Sequence, residues 1–345
     1  MKKLSKLLII LLLLPTVLLV CCNKKENSLY GISISPNTMM GTPAEMFSLQ
    51  QIKMFQAANN LTFILIETLS KDSTVNNFAI APMYMINNLL TDTTIDKWTK
   101  AYSEYYGMSV LSHSAALNAV NSFLKTVNDI DSSLNIESEA GFADMKSMNI
   151  VQRLHIKLMY PDSAPNDIDN IFTTIDNKKP RLDFMTVSDN IRALITDREQ
   201  VTELVLGNGN YMLMLIRPLN QSIREYAADF TEEKYLQFIN GMQERKINVS
   251  LPLFSLPDTV YNLPLPSYNG EDTVINFPVT LNIIPELTVR AATAAELSDK
   301  TATEINNNIL QTNSSAPIKY NSPFLFIIRG KNSNLIMFAG LYAMP

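Results

Sequence analysis

The stretch KYNSPFLFIIRGKNSNLIMFAGLYAMP, residues 319–345, closes the chain and carries its most informative pattern. Two apolar runs, Phe324–Arg329 and Leu335–Tyr342, are separated by the polar segment Gly330–Ser333. Runs of aliphatic and aromatic residues bounded by glycine and polar residues are typical of neighbouring strands. The sequence therefore predicts two C-terminal strands joined by a short polar turn.

The upstream pattern places helices before strands. Apolar residues recur at helical spacing in three early segments, and Thr231 followed by two glutamates is typical of a helix N-cap. The predicted helices are Met46–Ser70, Met83–Leu90, His113–Val127 and a helix from Thr231 to about Met242. The predicted strands are Phe78–Pro82, Val151–Tyr160, Ile191–Ile195, Val201–Leu206, Tyr211–Arg217, Ile247–Leu256, Val279–Ile284, Leu287–Ala294 and the closing pair. This order predicts an α+β fold with N-terminal helices and large mixed or antiparallel sheets.

The composition is that of a globular chain. Of 345 residues, 46% are hydrophobic and 18% are charged, enough for one large domain or two ordinary ones. Glycine occurs only 10 times, which argues against glycine-rich phosphate loops and glycine-rich linkers.

No enzyme motif is found in the sequence. Of the two histidines, His113 lies near a helix start and His155 within a strand, and we interpret both as structural. The nucleophile-elbow, zinc-protease, phosphate-loop and dinucleotide-binding motifs are absent, and no pair of carboxylates stands out. We therefore expect no enzyme, no metal and no cofactor.

The N-terminus has the pattern of an export signal. Three lysines precede the apolar run Leu7–Val20, which is too short to span a bilayer comfortably and ends at Cys21 and Cys22. We predict a bacterial lipoprotein signal peptide over 1–21, a lipidated Cys22, a polar tether over 22–45 and one domain over 46–345. Cys21 as the lipid site, and a plain secretory signal, stay open as alternatives. The expected location is the bacterial outer membrane, at the cell surface or outside it.

Both cysteines belong to this segment, so the mature chain has no disulfide and no cysteine-based metal site. The formal net charge of −5 falls to about −8 once the three lysines are removed. An acidic chain without a basic stripe is a poor binder of nucleic acid. We therefore expect membrane attachment through the lipid alone and no nucleic-acid partner.

The closing stretch resembles the C-terminal signature of the serpin family, element by element and without a gap. The matching residues are Asn321, Pro323, Phe324, Phe338 and Gly340. Weaker similarities occur upstream in the family's order, at Asn77–Pro82, Val120–Phe123, Tyr211–Pro218 and Val249–Phe254. Ala81 and Tyr84 stand where the family has serines, Leu253 where it has a basic residue. The chain between Pro82 and Tyr211 is shorter than in the family, so some middle elements are expected to be missing.

The resemblance implies an exposed reactive-centre loop before Pro323. Family spacing places the scissile bond at Thr312–Asn313, or at Leu310 if the register slips by two, and the hinge glutamate at Glu296. The implied activity is inhibition of serine or cysteine proteases by a monomer. The protease forms an acyl-enzyme with the loop, which then inserts into the central sheet and distorts the protease before hydrolysis.

The hinge departs from the family pattern of glycine, threonine and alanines. Its residues are Ser298, Asp299, Lys300, Thr301, Ala302 and Thr303. Asp299 is expected at the first position that turns inward, and burial of an unpaired carboxylate costs several kcal/mol or raises its pKa. Slow insertion would leave the acyl-enzyme to hydrolysis. The alternative is therefore a non-inhibitory surface lipoprotein of serpin fold, a decoy substrate or a binding module.

Overall fold

The computed structural model describes residues 47–91, 112–130, 134–144, 147–161, 170–206, 209–256, 258–268, 274–292 and 317–345. Within these ranges the helices are α1 Leu49–Lys71, α2 Pro82–Thr91, α3 His113–Ile130, α4 Ile223–Ala228 and α5 Glu232–Gly241. The first strands are β1 Phe78–Ile80, β2 Leu134–Asp144, β3 Ser147–Pro161, β4 Phe184–Ile195, β5 Glu199–Leu206 and β6 Tyr211–Pro218. The later strands are β7 Gln243–Pro252, β8 Thr259–Tyr268, β9 Val274–Ala292, β10 Ile318–Lys319, β11 Phe324–Gly330 and β12 Ile336–Tyr342.

Side-chain caps fix where helices α1 and α5 begin. Ser48 precedes α1, and its hydroxyl accepts from the backbone N–H of Gln51 while the Gln51 side chain accepts from the Ser48 N–H. This reciprocal arrangement satisfies two N–H groups that a helix start leaves unpaired. The predicted cap at Thr231 is confirmed, because its hydroxyl accepts from the N–H of Lys234.

The closing hairpin lies inside an eight-stranded sheet. The strand order is β1-β12-β11-β6-β5-β4-β7-β10, and β11 and β12 are antiparallel neighbours as predicted. Both strands are buried along their whole length, which explains why their sequence is continuously apolar instead of alternating. Helix α1 packs against β12 and against α2, α3 and α4, and its buried face joins the same core.

A second sheet has four strands in the order β2-β3-β9-β8. Its outer pairs are antiparallel, whereas β3 and β9 at its centre are parallel over 14 residue pairs, from Met148↔Val279 to Pro161↔Ala292. We call this parallel contact the seam. The mixed and antiparallel sheets with early helices confirm the predicted α+β class.

Three parts of the predicted strand pattern were wrong. Val279–Ile284 and Leu287–Ala294 are a single strand, β9, which passes through Pro285. Proline is tolerated there because β8 begins at Thr259, opposite Ile283. From Ile284 onward β9 therefore has β3 as its one neighbour among the described strands. Strand β4 begins at Phe184, seven residues before its predicted start. Strands β2, β8 and β10 and helix α4 were not predicted. Small polar residues and prolines weaken the periodic signals of β2 and β8, and β10 and α4 are only two and six residues long.

No helix in the described part of the chain is both long enough and apolar enough to cross a membrane.

Candidate functional site

The segment 293–316 joins the two sheets. It follows Ala292 at the end of β9 in the four-stranded sheet, and the chain then enters β10 at the edge of the eight-stranded sheet. The two ends of this segment are therefore held by different sheets. The predicted scissile bond Thr312–Asn313, the alternative Leu310, and the hinge residues Glu296, Ser298, Asp299, Lys300, Thr301, Ala302 and Thr303 all lie in 293–316, outside the described residues.

The end at β10 is firmly anchored. Ile318 and Lys319 pair in parallel with Val249 and Ser250 of β7, and the backbone N–H of Tyr320 donates to the Ser250 carbonyl at 2.8 Å. The Tyr320 side chain is completely buried.

The Tyr320 hydroxyl extends this anchor across the eight-stranded sheet. It donates to the carbonyl of Leu215 on β6 at 3.0 Å and lies 2.8 Å from the hydroxyl of Thr202 on β5. Burial raises the pKa of Tyr320 above its ordinary value, so the phenol stays neutral and keeps its proton for Leu215.

The other end of the segment follows β9, which is one of the two strands of the seam. Strand β9 has β3 on one side and β8 on the other. A segment that follows β9 and reverses direction would pair with β9 antiparallel. Along Val274–Ile283 it would therefore have to separate the seam or displace β8, which is joined to β9 there by ten antiparallel pairs. Beyond Ile283, β3 is the one neighbour of β9 among the described strands, and entry into the seam would give the segment a partner on both sides.

A buried glutamine connects β3 to the residue that precedes helix α2. The Ala81 N–H donates to Oε1 of Gln152 at 3.3 Å, and Nε2 of Gln152 donates to the Ala81 carbonyl at 3.1 Å. Gln152 lies on β3 and is fully buried, and Ala81 lies between β1 and α2. Sequence reasoning missed Gln152. The available signal was a glutamine within the mostly apolar run Ile150–Ile156.

On the β9 side of the seam, strand β8 is hydrogen-bonded to Asn77, the residue just before β1. The Tyr261 hydroxyl on β8 donates to the Asn77 carbonyl at 3.0 Å. The Asn77 side chain in turn accepts from the N–H groups of Ala343 at 2.8 Å and Met344 at 2.9 Å. The strands on both sides of the seam are thus connected to the three-residue strand β1, which pairs with β12.

Close packing explains why the predicted signature contains glycine at 340. A Cβ built on Gly340 would lie 2.3 Å from Cζ of Phe326 and 2.4 Å from the carbonyl oxygen of Phe78. No other residue leaves room for both neighbours. Phe338 packs near the same place, with its ring centroid 5.7 Å from that of Phe326.

The other signature residues organise the start of β11. The Phe324 ring lies 5.6 Å from the rings of Phe254, Tyr320 and Tyr342. Oδ1 of Asn321 accepts a hydrogen bond from Arg217 at 2.7 Å. Pro323 lies between Asn321 and Phe324 in the sequence. The signature therefore marks the structural base of the segment 293–316.

The remaining predicted positions are the two histidines and Cys22. The His113 ring lies 2.6 Å from the carbonyl of Leu90, near the C-terminal end of α2, which supports a structural role. His155 lies on β3. Among the described residues, no group of three histidine, cysteine or acidic residues is arranged to hold a metal. Cys22, the predicted lipid site, lies outside the described residues.

Comparison with known proteins gives matches in structure alone. No protein-family profile matches the chain, and no curated protein matches its sequence. SRPN18 from Anopheles gambiae is similar with a TM-score of 0.58 and 10% identity, over 85% of this chain and 99% of the other. Maspin is similar with a TM-score of 0.61 and 14% identity, over 86% of this chain and 100% of maspin. Both are serpins, and the chain therefore has the serpin fold.

Proposed function

We propose that this chain is a serpin-type protease inhibitor rather than an enzyme, and that 293–316 is its bait segment. One observation carries the proposal: the segment follows β9, a strand of the parallel seam in the four-stranded sheet, and leads into β10 of the eight-stranded sheet. A cut within the segment would leave its first part attached to β9 and its second part attached to β10. The first part would then be free to move independently of the second.

The proposed reaction uses the protease's own chemistry. The serine hydroxyl or cysteine thiol attacks the carbonyl carbon of Thr312, and the Thr312–Asn313 amide bond breaks. Asn313 leaves with a free amino group after it accepts a proton from the protease. Thr312 remains as an ester or thioester of the protease, which is covalently held at the end of the segment attached to β9.

Strand pairing supplies the driving force. The freed part, residues 293–312, has 20 residues, and the seam is 14 pairs long. If this part reverses after Ala292 and enters the seam, it runs antiparallel to both β3 and β9. One parallel contact is then replaced by two antiparallel contacts, which are slightly more stable per residue and add hydrogen bonds. The acylated protease would be carried along the sheet.

The second candidate is a decoy substrate or binding module of the same fold. The observation that favours it is Asp299, which this geometry would bring into the sheet with a carboxylate that is costly to bury. Ser298 also replaces the flexible glycine expected there. If these residues slow insertion, water hydrolyses the acyl-enzyme first, and the protease is released active.

Denaturing gels separate the two candidates. The purified protein is mixed with subtilisin-like, elastase-like and chymotrypsin-like proteases, and residual protease activity is measured in parallel. A band at the summed mass that survives boiling, with loss of activity, is expected for the inhibitor. Clean cleavage near Thr312 with full protease activity would contradict inhibition of those proteases and support the decoy. An Asp299→Ala variant should raise the fraction that is trapped.

We also propose that the protein is exported and anchored by a lipid on Cys22, where it would meet proteases at the outer membrane. The apolar run that ends at the cysteine pair supports this. Metabolic labelling with radioactive palmitate should mark the wild type and the Cys21→Ala variant but not Cys22→Ala. Label retained in Cys22→Ala would move the lipid site to Cys21.

A further inference from the structure

A row of side chains crosses three strands at one end of the eight-stranded sheet. Ile195 on β4 is the register partner of Gln200 on β5, and Gln200 is the partner of Arg217 on β6. Directly opposed residues of antiparallel strands project to the same face. Asn321, between β10 and β11, completes the row through its hydrogen bond with Arg217.

Arg217 has only neutral partners in this row. One terminal nitrogen donates to Oδ1 of Asn321 and the other to Oε1 of Gln200, each at 2.7 Å. Its Nε–H is buried and has no hydrogen-bond partner among the described residues. No carboxylate whose side chain the structure describes lies within ion-pair distance of it.

The nearest acidic residue along β5 is already engaged elsewhere. Glu199 accepts from the hydroxyl of Tyr226 at 2.6 Å and lies 3.2 Å from Nζ of Lys234. Glu199 precedes Gln200, so it projects to the opposite face of the strand. It therefore does not neutralise Arg217.

A half-buried cation without a counter-ion is unusual, because desolvation is not offset by an opposite charge. Burial lowers the pKa of Arg217 from its ordinary value, because desolvation disfavours the charged guanidinium. The chain is acidic overall, yet none of the carboxylates described in the structure pairs with this cation. Ile195 and Leu219, near the same end of the sheet, are exposed by 39% and 41%. Exposed apolar surface beside an unpaired arginine is typical of a protein contact.

We infer that Ile195, Gln200, Arg217 and Asn321 form an accessory docking surface for an acidic side chain of the protease that engages 293–316. This inference rests on the proposed function. Asn321 follows Ala316 by five residues, a distance of at most about 17 Å along an extended chain. A protease bound at the segment would therefore extend over this surface, and one of its carboxylates would accept hydrogen bonds from the remaining N–H groups of the terminal nitrogens of Arg217.

The test measures binding without cleavage. The probe is a subtilisin-like protease whose catalytic serine is replaced by alanine, and its Kd for the full chain is measured at 50 and 300 mM NaCl. Arg217→Gln should weaken binding by about 5- to 20-fold at low salt and reduce the salt dependence, because a charge-assisted hydrogen bond is lost. Arg217→Lys should give an intermediate Kd, since it keeps the charge but loses the planar fork.

Two further variants keep the test independent of folding. Ile195→Glu places a carboxylate at an exposed position two strands from Arg217 in the same row, where it would repel an acidic side chain of the protease, so it should also weaken binding. Lys125→Gln on α3 removes one exposed positive charge elsewhere and should leave Kd unchanged. Equal binding by wild type, Arg217→Gln and Ile195→Glu would overturn the inference, as would absence of binding by the wild type. Neither result depends on whether an active protease is trapped, which is the separate test of the proposed function.

Discussion

Gln152 and Ala81 are joined by two reciprocal hydrogen bonds that connect strand β3 to the start of helix α2. Ala81 is held in place because β1, immediately before it, pairs with β12 inside the eight-stranded sheet. Any opening of the seam that moves β3 must therefore break both bonds. Movement of β9 and β8 instead would strain the bond from Tyr261 to Asn77.

Replacement of Gln152 by leucine tests this connection. The N–H of Ala81 would lose its partner in a buried environment, which costs about 1–3 kcal/mol, whereas the Ala81 carbonyl would still accept from the N–H of Met85. We expect the free energy of unfolding to fall by at least that amount and hydrogen exchange in β3 to accelerate. Urea denaturation and hydrogen-exchange mass spectrometry measure the two effects. Gln237→Leu, on the exposed side of α5, is the control and should change stability by less than about 0.5 kcal/mol.

Gly340→Ala should be among the most damaging single substitutions in the chain. The added Cβ would lie within 2.4 Å of the Phe78 carbonyl oxygen, which is backbone and cannot rotate away. We expect a loss of about 3 kcal/mol or more, or failure to fold. Gly241→Ala is the matched control, because its Cβ would be 3.6 Å from Leu194, an ordinary contact. Similar unfolding midpoints for the two variants would contradict the packing argument.

Two buried tyrosines should respond to phenylalanine in opposite ways. The Tyr84 hydroxyl is buried and has no hydrogen-bond partner among the described residues, so Tyr84→Phe should leave stability unchanged or raise it by about 1 kcal/mol. The Tyr320 hydroxyl contacts Thr202 and Leu215, so Tyr320→Phe should lower stability by about 1–3 kcal/mol. Thermal unfolding measures the change in stability of each variant relative to the wild type. A destabilised Tyr84→Phe would mean that the hydroxyl has a partner.

The chain should lose stability between about pH 10 and pH 12. Burial raises the pKa of Tyr261 to about 12, whereas a tyrosine in the unfolded chain titrates near 10. The stabilisation that Tyr261 contributes to the folded state is therefore fully present below pH 10 and is lost as the pH rises toward 12, because the tyrosine of the unfolded chain releases its proton first. Tyr261→Phe should show a shallower decline of the unfolding free energy over this range. An identical slope in wild type and variant would contradict the assignment to Tyr261.

Much of the fold could be predicted because its signals are local. The closing hairpin is buried on both faces, so its residues are continuously apolar, and the cap at Thr231 depends on residues three positions apart. The hairpin also carries Gly340, whose role depends on Phe326 and Phe78. The family resemblance detected that glycine as a pattern, but only the packing gave its cause.

The contacts of the candidate site could not be predicted, because they join residues that are far apart in sequence. Gln152 and Ala81 are separated by 71 positions, and Arg217 and Asn321 by 104. The sequence alone determined the α+β class and the apolar hairpin, and it located the segment for which we propose the bait role. Only the tertiary structure decided that the strand before this segment lies at a parallel seam, and that Arg217 has no acidic neighbour among the described side chains. Strand pairing and charge compensation are set by long-range packing, which no local pattern encodes.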